Sequence, residues 1–256
     1  SSPWMVTKHV PLPRVSMAGI SRFAVLAVVV SLVLESSAMA EKRKDDIRLL
    51  MSLESFVEQA IEGKNEIAEA RRQELDQLAR ESASWLKKQG TVELVFVCTH
   101  NSRRSQMAQV WAQVASAHYG VTGLRAYSGG TETTACNTRT VRALKTAGLA
   151  VDSRKKGENP VYQVRFSEQA KPLQLFSKTY HDEVNPREDF FAVICCSEAD
   201  TNCPVVEGTS HRYALHYLDP KVSDETPAEA ETYMERNRQI AREMFYLVSS
   251  ISQAIR

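Results

Sequence analysis

Residues 92–119 read VELVFVCTHNSRRSQMAQVWAQVASAHY and combine two structural patterns. The first seven residues form a short apolar, β-branched run, which is typical of a buried strand. From Ser105 onward, apolar residues recur at helical spacing, which predicts a helix with one face on the core. Between the two patterns lies a loop that begins at Cys98 and reaches Arg104 after five intervening residues. This order predicts that Cys98 lies at the carboxyl end of a strand, just before a helix.

A cysteine in such a loop has the properties of a nucleophile. Backbone N–H groups at a helix start can converge on one point and bind a dianion, and their positive field stabilises a thiolate. Arg104 can donate two hydrogen bonds to an oxyanion, while Ser105 can donate one to the Cys98 thiolate. Asn101 tolerates the left-handed backbone that a tight anion-binding turn often requires. The loop therefore predicts a cysteine-nucleophile enzyme acting on a tetrahedral oxyanion.

The rest of the chain alternates between strand and helix patterns. Strands are predicted at 125–129, 173–176, 190–196 and 213–218, and helices at 137–147 and from 227 to the end. Two amphipathic runs broken near Gly63 predict a helical hairpin over 52–88. The alternation predicts a three-layer α/β fold with a parallel sheet of about four to five strands, which binds ligands at the carboxyl ends of its strands.

Composition excludes several classes of function. The 256 residues carry a net charge of +1, so a nucleic-acid partner is not expected. The five cysteines form a poor disulfide framework and show no C-x-x-C spacing, so neither a metal site nor a bound cofactor is expected. We divide the chain into residues 1–40, a signal segment with upstream residues, residues 41–90, a helical extension, and residues 91–256, a catalytic domain.

Residues 17–40 have the layout of a secretory signal peptide. Arg22 precedes an apolar run at 23–34, and small residues at 38 and 40 form a cleavage site. The run is short for a membrane span, and a single anchoring helix is the alternative interpretation. Use of the signal predicts an exported or periplasmic protein that meets a membrane only through this segment. Translation from Met51 would instead give a cytoplasmic enzyme.

The segment VFVCTHNSRRSQMAQ, residues 95–109, resembles the signature loop of the low-molecular-weight protein tyrosine phosphatases and of the thioredoxin-coupled arsenate reductases that share their fold. The likeness continues at 127–132, 137 onward, 196–204 and 219–220, and covers roughly residues 92–256. The resemblance implies that Cys98 attacks the substrate and that Arg104 binds its oxyanion. The loop residues expected to surround the oxyanion are Thr99, His100, Asn101, Ser102, Arg103, Arg104 and Ser105.

Two loop residues depart from the family pattern. His100 stands where these loops usually carry glycine, and it either touches substrate or points to solvent. Arg103 stands where they often carry a second cysteine, and we expect it to be a solvated or helix-surface charge rather than a second oxyanion ligand.

The proton donor is assigned by the same resemblance, which implies that Asp219 is the general acid of a phosphatase, with Asp224 and Glu225 as fallback candidates. Phosphatases of this group usually follow Asp-Pro with aromatic residues, whereas Lys221 and Val222 follow here. This departure weakens the case for a phosphotyrosine substrate.

Two further cysteines favour a different reaction. Cys196 and Cys203 resemble the redox pair of the arsenate reductases in spacing and surroundings, which implies a relay from Cys98 through Cys196 to Cys203, with an external dithiol such as thioredoxin as reductant. Cys195 and Cys196 could instead both be small buried hydrophobic residues. Cys195 is predicted to be a buried residue on the opposite strand face, and Cys136 has no assigned role.

The favoured hypothesis is an enzyme that reduces arsenate to arsenite through Cys98, Cys196 and Cys203. The alternative is a low-molecular-weight phosphatase that hydrolyses phosphate monoesters through a phosphocysteine at Cys98. A remote alternative is a non-catalytic oxyanion or redox sensor. The expected ligand is in each case a small oxyanion or a phosphate ester.

Overall fold

The computed structural model describes residues 47–202 and 205–256. The signal peptide predicted at 17–40, the charged residues 41–46 and the predicted redox residue Cys203 lie outside the described residues. Within the two described ranges, no helix combines the length and the apolar character needed to cross a membrane.

The strands are β1 (Val92–Cys98), β2 (Leu124–Gly130), β3 (Ala150–Lys155), β4 (Val161–Arg165), β5 (Leu173–Leu175), β6 (Phe190–Ile194) and β7 (Thr209–Ala214). The helices are α1 (Glu54–Glu62), α2 (Glu69–Gln89), α3 (Arg104–Tyr119), α4 (Thr138–Thr146), α5 (Ser197–Asn202) and α6 (Glu229–Ile255). Short 3-10 turns lie at Met51–Leu53, Gly63–Glu66 and Pro220–Ser223.

Four of the strands form a parallel sheet flanked by helices, in the order β2-β1-β6-β7, which confirms the predicted α/β fold. Strand β1 is central and almost entirely buried, since it is apolar on both faces, as parallel sheets covered by helices require. Cys98 is its last residue and lies opposite Gly130 of β2. The carboxyl ends of parallel strands share one edge, so the segments that follow β1, β6 and β7 meet beside Cys98.

A second sheet, antiparallel in the order β3-β4-β5, was not predicted. The strand expected at 173–176 belongs to this sheet as β5, so its assignment to the parallel sheet was wrong. The physical reason is that only residues 166–172 join β4 to β5, as only residues 156–160 join β3 to β4. Connections this short join antiparallel neighbours but cannot make the crossover that parallel strands need.

The last strand of the parallel sheet begins earlier than predicted. Strand β7 starts at Thr209 rather than at residue 213 and ends at Ala214. Parallel-type bonding nevertheless continues beyond it, because the N–H groups of Leu215 and Tyr217 donate to the carbonyls of Ile194 and Cys195. This extended pairing carries the chain towards Asp219 along the same edge of the sheet.

The predicted N-terminal helical hairpin is formed by α1 and α2. Both helices pack on α6, and α2 also contacts β1 and β7. Phe56 of α1 stacks on Trp111 of α3 with ring centroids 4.8 Å apart, and Trp85 of α2 meets Phe191 of β6 edge-on at 5.5 Å. The hairpin therefore shares the core of the sheet, while the division of the chain at residue 91 stays a prediction.

Candidate active site

Cys98 is the first residue of the candidate oxyanion-binding loop, residues 98–105, called the oxyanion loop below. Its side chain lies against a hydroxyl group of the same loop. The residue is 3% exposed, and its Sγ is 3.0 Å from Oγ of Ser105. That hydroxyl accepts a hydrogen bond of 2.9 Å from Nδ2 of Asn101, which leaves its own proton available to the sulfur. The position matches the sequence prediction for a nucleophile at the end of β1.

Asn101 is the residue that shapes the loop. It is fully buried and its φ is 45°, the left-handed conformation that the sequence predicted. Its Oδ1 accepts hydrogen bonds from the backbone N–H of Lys178 at 3.1 Å and from Nε2 of Gln106 at 3.1 Å. Gln106 also donates to the carbonyl of Phe176 at 2.8 Å. The segment after β5 thus fixes the loop, and neither Gln106 nor Lys178 was expected to contribute.

Gly130 allows β2 to lie directly against the loop. A Cβ at this position would fall 2.6 Å from the carbonyl oxygen of Thr99 and 2.9 Å from the nitrogen of Asn101. The following backbone completes the contact, since the N–H of Glu132 donates to the Thr99 carbonyl at 2.8 Å. Only glycine fits this approach without displacing backbone.

Arg104 is buried beside the loop, with 7% of its surface exposed. Its Nη1 donates to the carbonyl of Tyr217 at 3.1 Å, and its Nη2 donates to Oδ2 of Asp219 at 2.8 Å. Its Nε has no hydrogen-bond partner among the described residues. A guanidinium has five N–H donors, so donors remain for an oxyanion while the first two hold the group in place. The structure thus brings Asp219, the predicted acid, to the predicted oxyanion ligand.

Arg103 is neither solvated nor a simple helix-surface charge, and that expectation was wrong. Its side chain is 12% exposed and its Nε donates to the hydroxyl of Tyr233 at 2.7 Å. Its guanidinium also lies 3.4 Å from a carboxylate oxygen of Asp224 and 3.9 Å from one of Asp219. Tyr233, expected only as a core residue of the last helix, in turn donates to Asp224 at 2.8 Å. These carboxylates hold Arg103 in the wall of the site.

The two fallback acids are placed differently from Asp219. The carboxylate of Asp224 is bound by Arg103 and Tyr233 and lies 3.7 Å from Nη1 of Arg139. Glu225 is exposed. Asp219 is therefore the only one of the three predicted acids for which a contact with Arg104 is observed within the described residues.

The rim of the loop is polar. His100 pairs with Glu132, with 3.4 Å between Nε2 and Oε2, and its side chain is 44% exposed. Ser102 donates from Oγ to the carbonyl of Ala135 at 2.7 Å, a bond that fixes the loop. A cavity of about 530 Å³ adjoins this rim, lined in part by His100, Arg103 and Lys221. None of the described residues that line it is Phe, Tyr or Trp.

Cys196 lies next to the loop that begins at Cys98. Its Sγ is 3.5 Å from Oγ1 of Thr99 and accepts a 3.4 Å contact from the N–H of Ala199 at the start of α5. Burial raises the pKa of Cys196, and the bonds from Thr99 and Ala199 oppose that shift. Burial raises the pKa of Cys195 well above its ordinary value and that of Cys136 to about 12, so both are held as inert thiols.

The hairpin reaches the segment that carries Asp219, a contact that sequence patterns did not reveal. Arg71 of α2 donates from Nη2 to the carbonyl of His216 at 2.5 Å, and its guanidinium lies 5.4 Å from the ring centroid of Tyr217. It also lies 3.6 Å from the buried carboxylate of Glu243. Since the Tyr217 carbonyl accepts from Arg104, the extension supports one wall of the site.

Comparison with known proteins agrees with this geometry. The family model for low molecular weight phosphotyrosine protein phosphatases matches residues 93–164. An arsenate reductase of Staphylococcus aureus (strain Newman) is 26% identical over 153 residues, 56% of this chain and 96% of that protein.

Solved structures of both kinds are similar as well. A low molecular weight phosphotyrosine phosphatase from Vibrio cholerae O395 is 15% identical, with 62% of this chain and 95% of that chain covered at a TM-score of 0.42. An arsenate reductase from Archaeoglobus fulgidus DSM 4304 is 22% identical, with 61% and 98% covered at 0.39.

The family match begins inside β1 and includes Cys98, Arg104 and Gly130, the residues around which the loop is built. The chain is therefore similar to low-molecular-weight phosphotyrosine protein phosphatases over residues 93–164 and to an arsenate reductase over 153 residues, and both kinds of protein are enzymes.

Proposed function

We propose that this protein reduces arsenate to arsenite through a thiol relay of Cys98, Cys196 and Cys203. The observation that carries the proposal is the buried sulfur of Cys196, 3.5 Å from the side chain of Thr99, the residue after the nucleophile. Phosphate-ester hydrolysis has no use for a second thiol at this position. The similarity to an arsenate reductase over 153 residues supports the same reaction.

The first steps form and break bonds to arsenic. The Cys98 thiolate attacks arsenate, one arsenic–oxygen bond breaks, and that oxygen leaves with protons as water. Arg104 and the loop N–H groups stabilise the remaining oxygens. The Cys196 thiolate then attacks the Cys98 sulfur. The electron pair of the sulfur–arsenic bond stays on arsenic, which leaves as arsenite in the reduced, trivalent state, while a Cys98–Cys196 disulfide forms.

The last steps restore the nucleophile. The Cys203 thiolate attacks the Cys196 sulfur, and Cys98 departs as a thiolate. The product is a Cys196–Cys203 disulfide. An external dithiol such as thioredoxin supplies two electrons and returns both cysteines to thiols. Because burial raises the pKa of Cys196, its attack depends on losing a proton, which the nearby Thr99 hydroxyl favours by donating to the thiolate.

We expect a Cys196→Ser variant to separate the two possible reactions. Arsenate reduction in the presence of a thioredoxin system should fall by about 10³-fold or more, because the step that breaks the sulfur–arsenic bond has lost its attacking thiol. Hydrolysis of p-nitrophenyl phosphate should stay within about threefold of the parent rate, since the oxyanion loop is intact. Cys195→Ala, which alters the adjacent buried thiol, is the matched control and should retain both activities.

Mass-spectrometric thiol mapping after exposure to arsenate tests the relay directly. We expect a Cys196–Cys203 disulfide in the parent protein and a trapped Cys98–Cys196 disulfide in a Cys203→Ser variant. Normal arsenate turnover by a protein lacking both Cys196 and Cys203 would show the relay to be wrong.

A second candidate function, phosphate-monoester hydrolysis through a phosphocysteine, is favoured by the position of Asp219. Its Oδ2 is 2.8 Å from Arg104, where a general acid could protonate a leaving alkoxide and later activate water. The adjoining cavity presents His100, Arg103 and Lys221 rather than Phe, Tyr or Trp among its described lining residues. Small or charged phosphate esters fit this wall better than phosphotyrosine.

An Asp219→Asn variant tests the phosphatase candidate. Hydrolysis should fall by about 10²–10³-fold for esters with poor leaving groups and much less for p-nitrophenyl phosphate, because only a poor leaving group needs a proton. The control is Asp224→Asn, which removes a carboxylate that binds Arg103 and Tyr233. Any change in its rate of hydrolysis should be the same for good and poor leaving groups. An equal loss across all esters in Asp219→Asn would indicate a positional role for Asp219 instead.

A further inference from the structure

A buried lysine, Lys178, lines a cavity whose described lining includes no residue of the loop 98–105. Lys178 is 3% exposed, and its Nζ has no hydrogen-bond partner among the described residues. The Nζ atom lies 4.7 Å from the centroid of the Phe176 ring. An ammonium without an acceptor in a buried position is costly, and a bound anion would offset that cost.

The ammonium keeps its charge at neutral pH. Burial lowers the pKa of Lys178 to about 8, while Asp182 and Cys136 act in the opposite direction. The Lys178 side chain is therefore largely protonated near pH 7, and its charge is stabilised at longer range by Asp182 but has no hydrogen-bond partner among the described residues.

The walls of the cavity are rich in donors. Its volume is about 280 Å³, and no Asp or Glu occurs among its described lining residues. Gln109 accepts from Ser128 at 2.6 Å and Gln113 accepts from the N–H of Ala126 at 3.1 Å through their side-chain oxygens, so these amides retain N–H₂ groups as donors. Arg125 also lies at the wall, but its side chain is 59% exposed and its Nη1 lies 3.6 Å from a carboxylate oxygen of Glu93, so Lys178 is the main cation available to a ligand.

Two other features narrow the class of ligand. Asn185 is 5% exposed, and its Oδ1 has no partner among the described residues, although its Nδ2 donates to three carbonyls. This oxygen is an acceptor suited to a ligand hydroxyl. Leu173, Pro172 and Phe176 supply apolar surface for a carbon skeleton. An inorganic anion would leave that apolar surface uncovered.

We propose that this cavity is a binding site for a small organic hydroxycarboxylate, with the carboxylate on Lys178 and the hydroxyl on Asn185. The site is separate from the oxyanion loop and takes no part in the reaction proposed for Cys98. Lys178 nevertheless connects the two through its backbone, which donates to Asn101 at 3.1 Å and accepts from Gly130 at 2.8 Å.

Isothermal titration with lactate, propionate and inorganic phosphate tests the proposal. We would use an Arg104→Met protein, so that the oxyanion loop contributes little binding. Lactate should bind saturably and more tightly than propionate, which has the same skeleton without the hydroxyl. In the same background, Lys178→Met should lower the affinity for lactate by about 30-fold or more, because the buried charge that pairs with its carboxylate is lost. Lys88→Met, which alters an exposed lysine on α2, should leave lactate binding unchanged.

Several outcomes would overturn the proposal. If lactate binding survived Lys178→Met, the ligand would bind elsewhere. If lactate and propionate bound equally tightly, Asn185 would not be the partner of the ligand hydroxyl. Phosphate binding that depends on Lys178, with no binding of lactate, would show a site for inorganic anions instead. Lys178→Met removes a buried charge that has no hydrogen-bond partner among the described residues, so it should not destabilise the fold, which thermal unfolding would verify.

Discussion

A Cys98→Ser variant is expected to lose arsenate reduction and phosphate-ester hydrolysis together, each by about 10⁴-fold or more. Both proposed reactions begin with attack by the sulfur of Cys98, which lies 3.0 Å from the Ser105 hydroxyl. A serine hydroxyl has a far higher pKa than a thiol and is a much weaker nucleophile unless a general base activates it. Initial rates with a thioredoxin system and with p-nitrophenyl phosphate measure the two losses.

Binding measurements distinguish a lost nucleophile from a damaged fold. Phosphate should still bind Cys98→Ser, because Arg104 and the loop N–H groups are unchanged. Cys136→Ser alters another buried thiol outside the relay and should keep both activities. If Cys98→Ser retained either activity above about one per cent, Cys98 would not be the nucleophile. A parent protein that binds phosphate but turns over neither substrate would favour the oxyanion or redox sensor.

An Arg104→Lys variant is expected to lose about 10²–10³-fold in kcat/KM for either substrate. Lysine keeps the charge but lacks the planar guanidinium group. That group donates hydrogen bonds to Tyr217 and Asp219 and still has further N–H donors for an oxyanion. The affinity for phosphate, measured by competitive inhibition, should fall in parallel with kcat/KM.

The control for this change is Arg142→Lys. Arg142 is also paired with a carboxylate, that of Glu229 at 3.6 Å, but its side chain is 66% exposed and away from the loop. Its replacement should leave kcat/KM within about twofold of the parent value. If Arg104→Lys matched this control, the donors that stabilise the oxyanion would have to come from the backbone alone.

Local sequence was sufficient to predict the part of the site that is local in space. The strand, the loop and α3 follow one another within residues 92–119, so the positions of Cys98 and Ser105 depend mainly on their own neighbours. The left-handed Asn101 follows from the conformational tolerance of a short polar side chain. The parallel direction of the strands in the main sheet could likewise be inferred, because strands alternate with helices along the chain.

The side-chain network around the loop could not be predicted in this way. Arg103 is held by Asp224 and Tyr233, which are 121 and 130 residues away in the chain. Nothing in the immediate surroundings of Arg103 indicates those partners, so its charge suggested solvent exposure. The second sheet was missed for a related reason: β5 has only three residues, and its pairing with β4 depends on tertiary contact rather than on its own pattern.

The aromatic contacts of the helical hairpin have a consequence for how this chain could change over time. Trp111 and Phe191 belong to α3 and β6, yet the rings that cover them, Phe56 and Trp85, come from upstream of the family match. Loss of the upstream segment would leave two large apolar faces in water and promote aggregation. The helical hairpin and the sheet layers therefore depend on each other for the burial of these rings. Any shortened descendant would need smaller or more polar residues at 111 and 191 to stay folded and dispersed.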